Sequence, residues 1–319
     1  MPSPTIPEAR SETLWFDGDF IPWDQARVHV LSHALHYGTS VFEGIRCYAT
    51  ANGPAISRLE EHVRRFLHSA KIIRMPLPYT LDELGRACSE AVAVNEMGEC
   101  YIRPIAFRGA GEMGVLPKNC PTHVAIGVWP WGAYLGEEGL KQGIDTMVST
   151  WTKVAPNTIP AQAKIGGAYV MATVAKIEAV EAGCAEAILL DSDGRVAEGT
   201  GENIFVVYQG RIITPPLSNS ILGGITRRSV MQLAVERGYE VVEQAVSREL
   251  LYMADELFFS GTAAEVTPIR TVDRLPVGTG KPGPITLRLQ EDFFDIVKGR
   301  VDDRHRWLTP VAPAGAAVD

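Results

Sequence analysis

Leu59, Val63, Phe66, Leu67 and Ala70 recur at helical spacing and leave Glu61, Arg64, Arg65 and His68 toward other faces, which predicts an amphipathic helix. Ser57-Arg-Leu-Glu60 reads as the capping box that starts it. Leu81 to Met97 carries a second amphipathic pattern. Tyr101 to Phe107 and His123 to Trp129 read as strands, and Thr13 to Pro22 reads as a hairpin turning at Asp17-Gly18.

A Gly/Pro-punctuated aromatic stretch, Pro130-Trp-Gly-Ala-Tyr-Leu-Gly136, then interrupts the pattern. It divides the chain into a smaller N-terminal domain over 1–130, a connection over 131–141 and a larger domain over 142–319. In the larger part, Ala185 to Asp191 with Arg195 to Gly199, and Asn203 to Tyr208 with Arg211 to Thr214, predict two successive hairpins. Helices are expected over 166–182, 225–237 and 247–253, and strands over 239–244 and 256–260. The layout is α+β, without a regular βαβ alternation. The Pro/Ala-rich tail from Leu308 to Asp319 is expected to be disordered, and the chain has no internal repeat.

Composition narrows the classes. The 319 residues are 46% hydrophobic, enough for one or two packed domains. Lys+Arg 30 against Asp+Glu 38 leaves a net charge of −8, so general binding of nucleic acid is not expected and any anion site must be local. Met1 to Arg10 has no basic start followed by an apolar stretch, and no apolar run reaches membrane-spanning length, which points to a cytoplasmic protein. The five cysteines are scattered without a Cys-x-x-Cys pair, so neither a disulfide framework nor a zinc ribbon is indicated.

Several places can carry chemistry. Lys164 is a single ammonium among small uncharged neighbours, from Pro156 to Tyr169. Burial there makes an amine easier to deprotonate and able to attack an aldehyde; a helix-start lysine snorkelling to water is the plainer alternative. Leu222-Gly-Gly-Ile-Thr-Arg227 precedes a helical pattern, so the amides of Ile225 and Thr226 can receive phosphate, or Thr226 can simply cap the helix. Glu198 and Glu202 flank small residues at a hairpin end, where an acid can stabilise a protonated ring nitrogen or merely face solvent. Phe258 to Ala264 runs from a strand into a small-residue turn whose amides suit a carboxylate or phosphate, although an ordinary turn is as compatible. His29, His33 and His36 have ligand-like spacing, but no acid lies among them, and hydrogen-bonded histidines are expected there, with no metal.

Taken together, Ser32 to Tyr48 (Ser-His-Ala-Leu-His-Tyr-Gly-Thr-Ser-Val-Phe-Glu-Gly-Ile-Arg-Cys-Tyr), Tyr101-Ile-Arg-Pro104, Lys164-Ile-Gly-Gly-Ala-Tyr169, Glu198-Gly-Thr-Gly-Glu-Asn203, Gly224-Ile-Thr-Arg227 and Ser260-Gly-Thr-Ala-Ala-Glu265 resemble the branched-chain amino-acid aminotransferases. The likeness runs over about residues 13 to 308 in the right order. It implies fold-type IV of the pyridoxal-phosphate enzymes: a small α/β domain, a larger pseudo-barrel domain, an interdomain active site and an obligate homodimer.

The likeness also implies roles. Lys164 corresponds to the lysine that holds the cofactor aldehyde, Glu198 to the partner of the pyridine nitrogen, and Tyr169 to that of the ring hydroxyl. Arg65, the amides of Ile225 and Thr226, and Thr262 correspond to the phosphate site. Thr262, Ala263 and Tyr101 correspond to the α-carboxylate site. Phe42, Gly44, Trp131, Tyr134 and Tyr169, with Tyr37 and Val115 of the other subunit, correspond to the apolar pocket, and Arg103 to the group that meets the distal carboxylate of glutamate. The expected reaction is a ping-pong exchange between leucine, isoleucine or valine and 2-oxoglutarate.

Overall fold

The computed structural model describes residues 11–312. They form two compact units. The first comprises the described residues up to Trp131, with Ala163–Gly167 and those from Ile296 on; the second comprises Gly132–Gln162 and Ala168–Asp295. This division differs from a cut near residue 130, because two later segments join the first unit.

The first unit runs β1 (Thr13–Phe16), β2 (Asp19–Pro22), α1 (His33–Tyr37), β3 (Ser40–Phe42), β4 (Ile45–Thr50), β5 (Gly53–Ser57), α2 (Leu59–Ile72), α3 (Leu81–Val94), β6 (Cys100–Arg108) and β7 (Thr122–Trp129). Asp17 and Gly18 both take positive φ (50° and 112°), as the tight turn between β1 and β2 requires. β3 and β4 pair end to end with one edge of β6, Phe42 opposite Ile105 and Ile45 opposite Ile102. Glu43 and Gly44 fall in the break between them, and that break turns Glu43 inward.

Val63, Phe66 and Ala70 are buried as their spacing predicts. The capping box at Ser57 does not form. Ser57 is the last residue of β5, and the N-cap is Arg58 in the left-handed region without a side-chain cap bond. Its amide bonds Trp307 O and its guanidinium lies 5.1 Å over the Trp307 ring, so tertiary pairing overrides the local signal. The capping box sits instead at Thr80 and Glu83, at the start of α3.

The second unit runs α4 (Glu137–Gln142), β8 (Ile144–Thr152), α5 (Tyr169–Glu181), β9 (Glu186–Leu190), β10 (Val196–Gly199), β11 (Asn203–Tyr208), β12 (Arg211–Thr214), α6 (Ile225–Glu236), β13 (Glu240–Glu243), α7 (Arg248–Met253), β14 (Glu256–Gly261), β15 (Glu265–Val272), β16 (Leu275–Pro276) and α8 (Pro284–Val297). Strands β8, β9, β10, β11, β14 and β15 pair in that order, and β15 returns to β8, which closes a barrel. Val148, Ile188, Ile204, Val206, Leu257, Phe259 and Ile269 belong to one core cluster within this unit. Ala172, Ala175 and Ala179 of α5 are buried, small enough to let the helix lie close to β8 and β9. The α+β class and the barrel expected of the larger domain are both present.

Helix α8 is not among the expected elements. It opens on Pro284, and Glu256 accepts from the amides of Ile285 (3.0 Å) and Thr286 (2.7 Å), so a distant carboxylate caps it. The disorder expected from Leu308 is corrected at its start: β17 (Leu308–Pro310) pairs antiparallel with β5, and Asp303 receives the amides of Trp307 and Leu308. The rest of the tail, from 313, and the N-terminal stretch Met1 to Arg10 lie outside the described residues. Among the described residues no helix is long and apolar enough to cross a membrane.

Candidate active site

Lys164 lies in a non-helical segment whose backbone is held on both sides. Its amide donates to Ser69 Oγ (3.0 Å) and its carbonyl accepts from Phe42 N (3.0 Å), while Ile165 bridges Val41. The closeness of Gly38 to Gly167 is obligatory: a Cβ on Gly38, whose φ is +65°, would stand 2.8 Å from Gly167 Cα. The amine does not snorkel out. Lys164 Nζ sits 4.9 Å from the Phe42 ring centroid. Burial, followed by the repulsion of Arg65, lowers its pKa to about 8, with Glu43 and Tyr101 pulling the other way. A protonated amine has no lone pair to attack with. Capture of an aldehyde by the apoprotein should therefore speed up as pH rises through about 8 and level off above it. Stopped-flow absorbance with pyridoxal phosphate checks this, and a rate still climbing toward pH 10.5 would contradict the environment described.

Beneath Lys164 lies a group not singled out from the sequence. Glu43 is fully buried in the break between β3 and β4. Its Oε1 accepts from Arg65 Nε (2.6 Å), and its Oε2 from Arg65 Nη2 (2.9 Å) and His62 Nδ1 (2.8 Å). Burial alone would raise the carboxyl, but the Arg65 guanidinium and the His62 bond outweigh it and hold the group well below the usual carboxylate range. Burial lowers His62, whose hydrogen bond and attraction to Glu43 pull the opposite way. Arg65, in the middle of an amphipathic helix, thus faces inward on a fork-like carboxylate pair rather than a solvated face.

On the same side of β6, Tyr101 packs edge-on to Trp131 with centroids 4.4 Å apart. Gly44 makes this possible: a Cβ there would stand 1.7 Å from Tyr101 Oη. The Arg103 guanidinium carbon lies 4.9 Å from the Phe42 ring, 5.2 Å from Tyr101 and 5.7 Å from Trp129.

The second unit carries the acid and the anion-binding turns. Glu198 is buried at the end of β10, opposite Asn203. Its Oε2 accepts from Asn203 Nδ2 (3.1 Å) and the Leu222 amide (3.0 Å), and its Oε1 lies 2.6 Å from Lys153 Nζ. Glu198 is therefore not a solvated turn residue. Asn203 also reaches Leu222 O, and a Cβ on Gly224 would stand 2.0 Å from Asn203 Oδ1, so the approach to α6 is packed directly on the acid. Helix α6 begins at Ile225 with Gly224 as N-cap and no side-chain cap bond, so Thr226 is not its cap and the first amides keep their donor capacity. Buried Arg227 ties that turn to Pro215 O (3.0 Å) and Glu243 (2.6 Å).

Glu202 is a second buried acid, pushed up to about 8 by burial and then by Glu186. Glu186 is held by Lys176 Nζ and Thr200 Oγ1. Thr262 and Ala263 lie in the turn between β14 and β15, where Thr267 Oγ1 donates to Ala264 O (2.6 Å). Tyr169 opens α5, and Tyr134 faces Lys176 Nζ at 5.4 Å.

The histidines have other employment. His33 is buried with one ring nitrogen on Thr39 Oγ1 (2.7 Å) and the other on Gly114 O (3.0 Å), and His36 bonds Val30 O (3.0 Å).

A fold with a closed barrel, a lysine of lowered basicity and a buried acid beside an uncapped helix start defines a recognisable class. The sequence pattern of the family described as amino-transferase class IV matches residues 40–272, and the chain belongs to that family. Its relatives there include branched-chain-amino-acid aminotransferases. The one from Salmonella typhimurium is 50% identical over 303 residues, covering 95% of this chain and 98% of that protein. The Escherichia coli enzyme of that name has a solved structure with TM-score 0.93 and 50% identity, covering 95% of this chain and 100% of the other. The branched-chain amino acid aminotransferase from Thermobaculum terrenum, solved in its PLP-bound holo form, gives TM-score 0.89 and 38% identity, covering 96% and 100%.

Proposed function

We infer that this chain is a pyridoxal-phosphate-dependent branched-chain amino-acid aminotransferase, passing the amino group of leucine, isoleucine or valine to 2-oxoglutarate. The observation that carries this reading is the Lys164 amine, lowered to about 8 and lying over the Phe42 ring. The residues present fit the cofactor. In the second unit the uncapped start of α6 suits a phosphate, and a carboxylate held by Asn203, the Leu222 amide and Lys153 suits a protonated ring nitrogen; in the first, the Arg65 guanidinium likewise suits a phosphate.

When bound, the cofactor supplies an aldehyde and a ring that accepts the electron pair of the broken Cα–H bond. Lys164 would hold the aldehyde, and its freed amine would take the Cα proton on Nζ. Arg65, the amides of Ile225 and Thr226, and Thr262 would bind the phosphate. Glu198 would face the ring nitrogen and Tyr169 the ring hydroxyl. The amides of Thr262 and Ala263, with Tyr101, orient the substrate α-carboxylate, while Phe42, Gly44, Trp131 and Tyr134 surround the side chain. Both half-reactions use these same groups, so kinetics are ping-pong. Adding L-leucine to the cofactor-loaded protein should move its visible absorbance band into the near ultraviolet. A colourless protein after reconstitution, or a band that leucine leaves in place, would sink the reading.

Arg103 is assigned to meet the distal carboxylate of glutamate by bidentate hydrogen bonds. In steady-state kinetics, Arg103→Ala should cut kcat/KM for glutamate at least about tenfold more than for leucine, the scale of a charged hydrogen bond. Equal losses would contradict that role.

The working unit is a homodimer. Val30 and Leu31 before α1, Leu35 and Tyr37 on it, and Val115 and Leu116 in the β6–β7 loop are exposed, Leu35 at 61% and Val115 at 83%. Such apolar exposure marks a surface that another chain covers. A second copy is the natural occupant, bringing its Tyr37 and Val115 to the side-chain pocket. Leu35→Glu should yield a monomer by light scattering with little leucine turnover, and a stable active dimer would count against this face. All five cysteines are free thiols, which suits a reducing cytoplasm.

A further inference from the structure

Arg103 poses a physical problem that its assigned role does not solve: what satisfies the cation while an aliphatic side chain occupies the pocket. Its Nε is buried without a hydrogen-bond partner among the described residues, and Nη2 reaches Tyr101 Oη only at 3.5 Å. A guanidinium in such surroundings is costly unless something replaces water. Rings do so here. In the β6–β7 ladder Tyr101 stands opposite Trp129, and Arg103 opposite Gly127. Residues two apart on a strand share a face, so Tyr101, Arg103 and Trp129 project together. Gly127 has no side chain across from Arg103, and a Cβ there would stand 3.7 Å from the Trp23 ring and 4.0 Å from that of Trp129. Phe42, from β3 on the other edge of β6, supplies a further face at 4.9 Å. Trp129 in turn is braced by Tyr101 (5.4 Å) and Trp131 (5.9 Å).

We propose that Trp129 is a specificity-determining residue, completing an aromatic cage with Phe42 and Tyr101 that holds the Arg103 guanidinium whenever no distal carboxylate is present. The proposal rests on the assignment of Arg103 above. An aromatic face attracts a cation most when both are desolvated. The cage therefore contributes most in the complex with an aliphatic substrate, which excludes water without offering an anion. It contributes least with glutamate, whose carboxylate draws the guanidinium to itself. Trp129 thus lets one pocket take both side-chain classes.

The test compares Trp129→Leu and Trp129→Phe with wild type in the loaded enzyme. It measures kcat/KM for leucine and glutamate, and calorimetric affinity for 4-methylpentanoate and glutarate, which carry the two side-chain types without the amine. Trp129→Leu should raise the glutamate-to-leucine ratio about three- to tenfold, the size of one partly desolvated cation–π contact, with a matching shift in the two affinities. Trp129→Phe, keeping a ring, should stay nearer wild type. In an Arg103→Ala background Trp129→Leu should no longer move the ratio. Equal losses on both substrates, or an unchanged shift without Arg103, would overturn the cage. Failure of wild type to turn over leucine would instead strike the underlying assignment, and the proposal with it.

Discussion

Lys164→Ala is expected to abolish turnover and borohydride-reducible attachment of the cofactor while leaving the fold intact. Loss of a proton-transfer group alone costs about 10²- to 10⁴-fold in rate, and here the attachment point goes with it. Stability should move little, or upward. The folded state lowers the amine from 10.5 to about 8, so it disfavours the charge that the unfolded chain carries freely. That penalty is full below about pH 8 and fades as pH rises toward 10.5. At neutral pH the variant apoprotein should therefore melt no lower than wild type, apart from the lost contact with Phe42. Mass spectrometry after borohydride reduction, with a melting curve beside it, checks both halves. Normal catalysis or a retained adduct would remove Lys164 from the centre of the mechanism.

Glu43→Gln is expected to damage both stability and cofactor affinity. The substitution keeps the shape but takes the negative charge from between Arg65 and His62, and breaking a buried pair in this way costs about 3 to 5 kcal/mol. The affinity loss follows because Glu43 fixes the guanidinium proposed to hold the phosphate. The pH sign differs from that of Lys164. A carboxyl held far below its usual 4.5 contributes stability that is present above that value and is lost as pH falls toward its folded value. The gap between wild type and variant should be full at neutral pH and narrow only in acid. Urea titrations under the two conditions, with fluorescence titration of pyridoxal phosphate, decide it. A variant as stable and as tightly loaded as wild type would show the pair to be incidental.

Glu43 also marks where sequence reading stops. It stands inside a family-like motif, but a lone Glu between two short apolar strands has no periodicity that announces a partner nineteen positions on. Arg65 reads only as a solvated helix face until the likeness to a family assigns it to a phosphate. Lys153 carries no signal either, yet it lies 2.6 Å from Glu198. Helix α8 is a different kind of miss. Leu289, Phe293, Ile296 and Val297 do carry helical spacing, but the stretch begins at a Gly-Pro pair and its cap is Glu256, far away in sequence.

Local pattern by itself determined most elements, because burial of one face imposes periods that short segments must obey. Asn203–Tyr208 and Arg211–Thr214 form the expected hairpin, and α2 buries the expected stripe. The sequence also offered candidate chemistry, since Lys164, Glu198 and the Gly224-Ile-Thr226 turn can be read as a reactive amine, an acid and an anion site beside plainer alternatives. Tertiary structure alone decided whether that chemistry is expressed. The barrel closes because β15 returns to β8, a pairing of strands more than a hundred residues apart. Lys164 acquires its low basicity from burial and from Arg65, neither of which its own segment supplies. Charge and desolvation act through space, and the neighbours that set them are chosen by the fold.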